Sequence, residues 1–258
     1  MPLLVLLTPQ PTDADLTVVI DVLRFTTAAA CALSRGARAL IPHATVDEAR
    51  AAARTLPSAL LAGERHALKP DGFDLGNSPL EFTRDAVEGR DIVWTTTNGT
   101  RAITLALAVV APRPPSPAPA TPHPSPPRAT PRDLLLASYV NLSAVVSLLE
   151  REFGEGATVA VVCSGREGGF ALEDSACAGR LVRRLHAAWG DELTMNDGAR
   201  ASACIDEAYG EDLARLFRDA QHGRFLRDHG FSADLQACAQ VDAVDVVPRW
   251  RDGRFVAG

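Results

Sequence analysis

Several features that would define a membrane, secreted or metal-cage protein are missing from this sequence. No apolar run approaches the roughly 20 residues that a membrane-spanning helix needs, so we expect no membrane contact. The apolar residues 1–7 lack a basic flank and a cleavage site, which predicts a first β-strand rather than a signal peptide. The five cysteines form no C-x-x-C pair and the six histidines no H-x-x-x-H cluster. This pattern favours reduced thiols in a cytoplasm and argues against zinc or another transition metal.

Positive charge is also scarce. The formal net charge is −6, and only Lys69 among the 26 basic residues is a lysine. Without a basic stripe, nucleic acid is not an expected partner. An anionic small molecule would instead need cations placed locally in its pocket. A Walker P-loop and a G-x-G-x-x-G motif are both missing, so a nucleotide fold is not supported.

The composition suits one α/β domain over residues 1–258. Hydrophobic residues make up 47% and charged residues 22%, enough to bury a sizeable core. Short apolar runs alternate with amphipathic stretches, as in the strand at 16–20 and the helices at 45–56 and 172–189. This order predicts a three-layer α/β/α fold with a mostly parallel or mixed sheet and a more helical C-terminal part. At the end of the chain, residues 244–248 and 254–256 predict two strands around a turn.

Residues 112–131 interrupt this rhythm, because ten of the twenty are proline. Proline lacks the N–H group and fixes φ, so neither a helix nor a sheet ladder can form there. We interpret the segment as an exposed insertion, with a proline-rich ligand for a partner as the alternative.

Three places share one pattern, in which an apolar strand is followed by a polar turn and a helix. Ligands of open α/β sheets bind beyond the carboxyl ends of the strands, where helix N-termini attract anions. Each turn also carries an arginine, whose fork matches phosphate, carboxylate and sulfonate oxygens. Each turn alone could be a tight connection, but together they predict an anion site. The candidates are Asp21, Arg24, Thr26 and Thr27, then Thr97, Asn98 and Arg101, then Ser164 and Arg166.

The polar loop 63–79 adds further candidates, because loops of this length inside a compact domain are usually functional or disordered. It contains Glu64, Arg65, Lys69 and Asp74. The structural alternative is an Asx-turn followed by Ser78 as a helix cap, and both interpretations can hold.

Carboxylates are the expected metal ligands, since Mg²⁺ prefers oxygen and commonly takes one or two carboxylates with substrate and water. No spacing singles out a pair. The candidates are Asp21, Glu64, Asp74, Glu173 and Asp174.

Six stretches in order resemble the 2-phosphosulfolactate phosphatase family. They are VVIDVLRFTT, GERHALKPDGFDLGNSPLEFT, TTTNGTRA, SYVNLSAV, VCSGREGGFALEDSACAG and CAQVDAVDVVP, from residue 18 to residue 248. The resemblance implies Mg²⁺-dependent hydrolysis of 2-phospho-3-sulfolactate to 3-sulfolactate and phosphate. It also implies that 3-sulfolactate leads to coenzyme M where that pathway is present. The proline-rich insertion departs from the family, in which a short loop would be expected.

This resemblance and the residue chemistry agree on roles for the candidate residues. We expect Asp21, Arg24, Asn98 and Arg101 to be catalytic, and Thr26, Thr27, Arg65, Lys69, Thr97, Ser164 and Arg166 to bind substrate. Metal-activated water is the favoured nucleophile, with Asp21 as a covalent nucleophile in the alternative. A non-catalytic binding protein for a phosphorylated acid, a phosphatase for a different 2-phospho acid and a homo-oligomer are left open.

Overall fold

The computed structural model describes residues 1–56, 58–108, 133–152 and 157–258, which form a mixed α/β fold. The strands within these ranges are β1 (Pro2–Leu6), β2 (Leu16–Ile20), β3 (Ala39–Pro42), β4 (Leu60–Gly63), β5 (Asp91–Thr95), β6 (Asp133–Ala137), β7 (Val159–Cys163), β8 (Thr194–Met195), β9 (Pro248–Arg251) and β10 (Arg254–Ala257). The α-helices are α1 (Phe25–Ser34), α2 (Val46–Thr55), α3 (Arg84–Val87), α4 (Gly99–Leu107), α5 (Leu142–Glu152), α6 (Leu172–Trp189), α7 (Asp197–Tyr209), α8 (Leu213–Asp219), α9 (Gln221–Asp228) and α10 (Ser232–Cys238).

All ten strands belong to one sheet, in the order β4-β5-β3-β10-β9-β6-β2-β7-β1-β8. One end holds a parallel block of three strands (β4, β5, β3), and the other a parallel block of five (β6, β2, β7, β1, β8). The antiparallel β9–β10 hairpin joins the blocks through three successive antiparallel pairings. The two parallel blocks therefore run in opposite directions along the sheet.

A shared hydrophobic core shows how the two blocks meet. Val19 of β2 and Val162 of β7 belong to the same buried cluster as Trp94 of β5, Phe25 of α1 and Ile103 of α4. Helices α1 and α4 are therefore packed between the two blocks, and the sheet curls around them. This curling brings the carboxyl end of β5 close to that of β2, although four strands lie between them in the sheet.

The remaining helices cover the outer faces. Val145 of α5 and Leu181 of α6 pack with Val18 and Val161 on the other face of the five-stranded block. Val93 packs with Ala49 of α2 on the other face of the three-stranded block. The predicted α/β class, mixed sheet and helical C-terminal part are confirmed.

Most elements lie where the sequence predicts them. The Thr45–Glu48 capping box opens α2, and α6 has the predicted bounds. Residues 244–247 are not a strand, because β9 begins only at Pro248; the turn at Asp252 and Gly253 is present, with positive φ at both residues. The structure adds α9, whose only apolar residues are Phe225 and Leu226, so no periodicity predicted it. No helix in the described ranges is long and apolar enough to cross a membrane. The insertion at 112–131 lies outside the described residues.

Candidate active site

A cavity of about 350 Å³ lies where the turns after β2, β4, β5 and β7 converge under helix α9. Curling of the sheet is what brings these four turns together. The lining residues are Asp21, Leu23 and Arg24 after β2; Glu64, His66, Ala67 and Asn77 after β4; Thr97 and Asn98 after β5; Arg166 and Glu167 after β7; and His222 and Phe225 of α9.

Asp21 is placed between the first residues of two helices. The hydroxyl of Thr26 accepts from the Asp21 N–H at 3.0 Å and donates to the Asp21 carbonyl at 2.8 Å, which fixes the turn. On the other side lies Gly99, the first residue of α4. A Cβ atom there would lie 2.8 Å from Asp21 Oδ2 and 2.5 Å from the Phe25 ring, so only glycine fits. The N-terminal ends of α1 and α4 both favour negative charge at this carboxyl.

Despite these helix ends, the pKa of Asp21 is raised from 3.8 to about 7. Burial is the largest cause, followed by repulsion from Glu64, and the Phe25 N–H only partly offsets them. Burial also raises the pKa of Glu173 to about 7. The pKa of Asp174 is raised by burial and by the neighbouring Glu173 and Asp21. This carboxyl cluster is short of positive charge, as is typical of sites that take up a cation or a proton.

Glu64 and Asp174 use both carboxylate oxygens to hold the turns around the cavity. Glu64 accepts from the Ala67 N–H at 2.9 Å and from the Thr97 N–H at 2.7 Å. Asp174 accepts from the Val22 N–H at 2.9 Å and from the Gly165 N–H at 3.0 Å. Each carboxylate therefore joins two turns that come from different strands. Asp174 does not line the cavity, whereas Glu64 does.

Two short hairpins contribute residues to the wall of the cavity. In each, two backbone hydrogen bonds close a two-residue loop, between Arg65 and Leu68 and between Arg166 and Gly169. The central residues all have positive φ: 53° at His66, 68° at Ala67, 54° at Glu167 and 84° at Gly168. This is the type I′ geometry of tight hairpins, and it costs energy at the three non-glycine residues. The hairpins bring His66 and Glu167 to the cavity.

The three predicted arginines have different surroundings. Arg24 is only 2% exposed; it pairs with Asp234 at 2.6 Å and lies 4.3 Å from the Phe231 ring centroid. It is therefore committed to holding α10. Arg166 lies 4.8 Å from the Phe225 ring centroid and forms no ion pair within the described ranges, so its guanidinium is free to bind an anion.

Arg101 lies outside the cavity lining. It is exposed on α4, and a Cβ atom at Gly168 would come within 2.8 Å of its Nη1, so the guanidinium rests against the second hairpin. Its predicted neighbour Asn98 does line the cavity, where Oδ1 accepts from the Glu167 N–H at 3.0 Å. Thr97 also lines the cavity.

Several predicted substrate-binding residues have structural contacts instead. The hydroxyl of Thr27 donates to the Val22 carbonyl at 2.9 Å, so Thr27, like Thr26, holds the first turn. Arg65 donates to the Glu64 carbonyl at 2.6 Å and to Thr95 Oγ1 at 2.8 Å. Ser164 is buried outside the cavity lining.

Lys69 and Asp74 are exposed and also lie outside the cavity lining. Lys69 Nζ donates to the Asp74 carbonyl at 3.2 Å, and Asp74 Oδ2 accepts from the Leu61 N–H at 2.8 Å. These contacts secure the loop after β4. Ser78 does not begin a helix; its hydroxyl donates to Asp234 at 2.7 Å.

Sequence reasoning did not single out Asn77, His66, Glu167, His222 or Phe225. For His222, burial is the largest cause that lowers its pKa to about 4, followed by Arg166 and Arg24, so the imidazole is neutral at pH 7. Its Nδ1 atom is buried with no partner in the described part of the chain. Asparagine occurs at only four positions of the sequence, and this rarity is the signal that draws attention to Asn77.

The donor set fits a magnesium ion held by few protein ligands. Within the described ranges, no three His, Cys, Asp or Glu side chains converge as a metal cage. Asp21 and Glu64 nevertheless face the same cavity and repel each other. Mg²⁺ commonly takes one or two carboxylates and fills its shell with water and substrate oxygens. The cavity is thus compatible with such an ion at Asp21 and Glu64.

Comparison with known proteins identifies the family of this chain. The family model described as 2-phosphosulpholactate phosphatase matches residues 5–111 and 128–253. A relative from Pseudothermotoga lettingae is 36% identical over 98% of this chain and 97% of its own length. A relative from Synechococcus sp. (strain JA-3-3Ab) is 39% identical over 90% of this chain and 87% of its own length. Both carry the name "Probable 2-phosphosulfolactate phosphatase". The chain therefore belongs to the 2-phosphosulfolactate phosphatase family, whose members are phosphoric monoester hydrolases.

Proposed function

We propose that this chain hydrolyses 2-phospho-3-sulfolactate to 3-sulfolactate and phosphate with the help of Mg²⁺. The observation that carries the proposal is the position of Asp21. Its buried carboxyl lies between two helix N-termini, in a cavity that also presents the unpaired guanidinium of Arg166. A site built from carboxylates, helix ends and arginine suits a phosphate ester better than a neutral ligand.

Hydrolysis exchanges one P–O bond for another. The oxygen of a water molecule bonds to phosphorus, and the bond from phosphorus to the oxygen on C2 of the acid breaks, with the electron pair going to that oxygen. One proton of the water ends on the leaving oxygen and the other stays on the released phosphate. Charge shifts onto the leaving oxygen as the bond breaks, so donors fixed beforehand lower the barrier.

The described residues supply binding and orientation. Arg166 would neutralise one anionic group of the substrate, and the N-terminal end of α4, whose Gly99 lies beside Asp21, would favour negative charge at the phosphoryl group. Asp21 and Glu64 would hold the Mg²⁺, which on binding withdraws charge from phosphoryl oxygens. A cation held there would also offset the repulsion that Glu64 exerts on Asp21, so Asp21 would be ionised in the working enzyme. Asp21 is thus committed to the cation, and water is the nucleophile.

The product would lead to coenzyme M in an organism that has that pathway. Five unpaired cysteines, four of them buried, favour a reducing cytoplasm. A net charge of −6 disfavours nucleic acid as a partner.

A phosphate-release assay tests the function. The chain would be treated with chelator and then given Mg²⁺, Mn²⁺ or Zn²⁺ with 2-phospho-3-sulfolactate, 2-phospholactate or p-nitrophenyl phosphate. We expect no turnover in chelator, recovery with Mg²⁺ but not Zn²⁺, and the highest kcat/KM for phosphosulfolactate. Full activity in excess chelator would refute the metal requirement. A higher kcat/KM for phospholactate would assign the enzyme to a different 2-phospho acid. A phosphorylated Asp21 trapped during turnover would replace water by a covalent route.

A further inference from the structure

One cavity residue has its orientation fixed from behind by a rigid aromatic cluster. Asn77 is 5% exposed, and its Oδ1 accepts a hydrogen bond from Trp94 Nε1 at 3.2 Å. Trp94 is fully buried, stacked on Phe82 at 4.4 Å between ring centroids and edge-on to Phe25 at 5.4 Å. The indole is therefore held on both sides and cannot follow the amide if it rotates.

This contact decides which end of the amide is available to a ligand. An indole N–H can only donate, so the amide oxygen must face Trp94 and the NH₂ group must form the other end. Asn77 lines the cavity, and no residue in the described ranges accepts a hydrogen bond from Nδ2. Nδ2 is not among the fully buried unpartnered atoms of the described residues, so it can be reached from the cavity, where a ligand or water can complete the bond.

The charges nearby indicate what the missing acceptor is. Arg166 is the free cation of the cavity lining, and Arg24 is already paired with Asp234. A ligand with several anionic groups would leave some of its oxygens without a cationic partner. A neutral amide can donate to such an oxygen without adding a charge next to the carboxyls of Asp21 and Glu64, which line the same cavity.

We infer that Asn77 is a substrate-binding residue whose Nδ2 donates to an anionic oxygen of the substrate, and that Trp94 is its positioning residue. The inference rests on the proposed function and adds a recognition group to it. The oxygen belongs either to the phosphoryl group or to the carboxylate or sulfonate of the acid. The chemistry is the same in each case, and substrates that lack one group distinguish them.

Asn77→Asp is the most informative variant, because it keeps the size of the side chain and the acceptor for Trp94 but turns the cavity-facing donor into an acceptor. Trp94→Phe removes the fixing N–H and keeps an aromatic ring. Gln236→Glu is the matched control, since it adds the same charge on an exposed residue outside the cavity. Each would be assayed with Mg²⁺ at pH 8 on phosphosulfolactate, phospholactate, the phosphate ester of 2-hydroxyethanesulfonate and p-nitrophenyl phosphate, with the melting temperature recorded.

We expect Asn77→Asp to lower kcat/KM by about tenfold to a hundredfold, the value of a hydrogen bond to a charged group. Trp94→Phe should lower it less, mainly through KM, and the control should not change it. A loss on all four esters assigns the contact to the phosphoryl group. A loss only on the esters that carry a carboxylate assigns it to the carboxylate, and a loss only on those that carry a sulfonate assigns it to the sulfonate.

Two results would overturn the inference. One is an Asn77→Asp variant with unchanged kcat/KM on every ester that the parent hydrolyses. The other is a loss of activity that is equal at saturating and at limiting substrate and is accompanied by a fall in the melting temperature, as loss of folded protein would give. Failure of the proposed function is a separate result, in which the parent chain itself hydrolyses none of the esters.

Discussion

Replacing Asp21 with asparagine should make the metal-free protein more stable at alkaline pH while it abolishes turnover. The change keeps the shape of the side chain and an oxygen that can accept from the Phe25 N–H, but it removes the buried charge. In the folded chain Asp21 keeps its proton up to about pH 7, whereas an unfolded aspartate releases it near pH ~4. The folded state binds more protons across this window, so the free energy of unfolding falls as the pH rises from about 4 to about 7.

The size of the effect follows from the pKa shift. A rise from 3.8 to about 7 is about three units, which at about 1.4 kcal/mol per unit corresponds to about 4 kcal/mol lost when Asp21 ionises. Glu173, whose pKa is also raised to about 7, repels Asp21, so the two carboxyls share this penalty. We therefore expect a gain of about 2 to 4 kcal/mol at pH 8, or at least about 4 to 8 °C in melting temperature.

Thermal melts of parent and variant in chelator, at pH 5, 6, 7 and 8, measure this gain. The stability difference should be small at pH 5, grow with pH and level off above pH 7. Asp13→Asn makes the same chemical change at an exposed carboxyl and should give no such trend. An Asp21→Asn variant that melts below the parent at pH 8, or whose stability difference from the parent does not depend on pH, would refute a buried Asp21 carboxyl that lacks compensating positive charge. Normal turnover of the variant with Mg²⁺ would refute the role of Asp21 in the reaction.

Three further changes to the chain test substrate binding by Arg166, the ion pair between Arg24 and Asp234, and the role of the proline-rich insertion. Arg166→Ala should raise KM for the ester by about tenfold to a hundredfold, and Arg218→Ala on the exposed end of α8 should not; equal effects in steady-state kinetics would indicate lost stability instead. Arg24→Met should lower the free energy of unfolding by about 3 to 5 kcal/mol, because Asp234 would stay buried without its partner; a denaturant titration showing a loss below about 1 kcal/mol would contradict the clamp. A short Gly-Ser linker in place of residues 112–131 should preserve phosphate release and melting temperature, as the proline content predicts; collapse of either would mean that the segment packs against the domain.

The sequence predicted the parts of the site that depend on local pattern. Asp21, Thr97, Asn98 and Arg166 each follow a strand, and the rule that ligands bind beyond the carboxyl ends of strands places them at the cavity. Strand and helix starts could be located because apolar runs and caps are local signals. The same rule also included Arg101 and Ser164, which follow strands but do not line the cavity. Position after a strand gives the edge of the sheet but not the direction of the side chain.

The rest depends on contacts between distant segments. Arg24 carries no local sign that its partner is Asp234, which lies 210 positions away on α10. The contribution of His222 requires α9, a helix with too few apolar residues to show a period. The β9–β10 hairpin lies between two parallel blocks that pack on α1 and α4, and this strand order cannot be predicted from local sequence.

The buried carboxyls around the cavity show how hydrogen bonding separates structural from chemical roles. Glu64 and Asp174 each accept two backbone N–H groups from different turns, so removing either would release two segments of the wall. Among the described residues, the Asp21 carboxyl accepts only from the adjacent Phe25 N–H and holds no second turn, yet its pKa is raised to about 7. A carboxyl that braces nothing and is costly to ionise is retained for what it binds, because stability alone would favour its replacement. Glu64 combines both properties, since it braces two turns and also faces the cavity, and its loss should therefore lower stability and activity together.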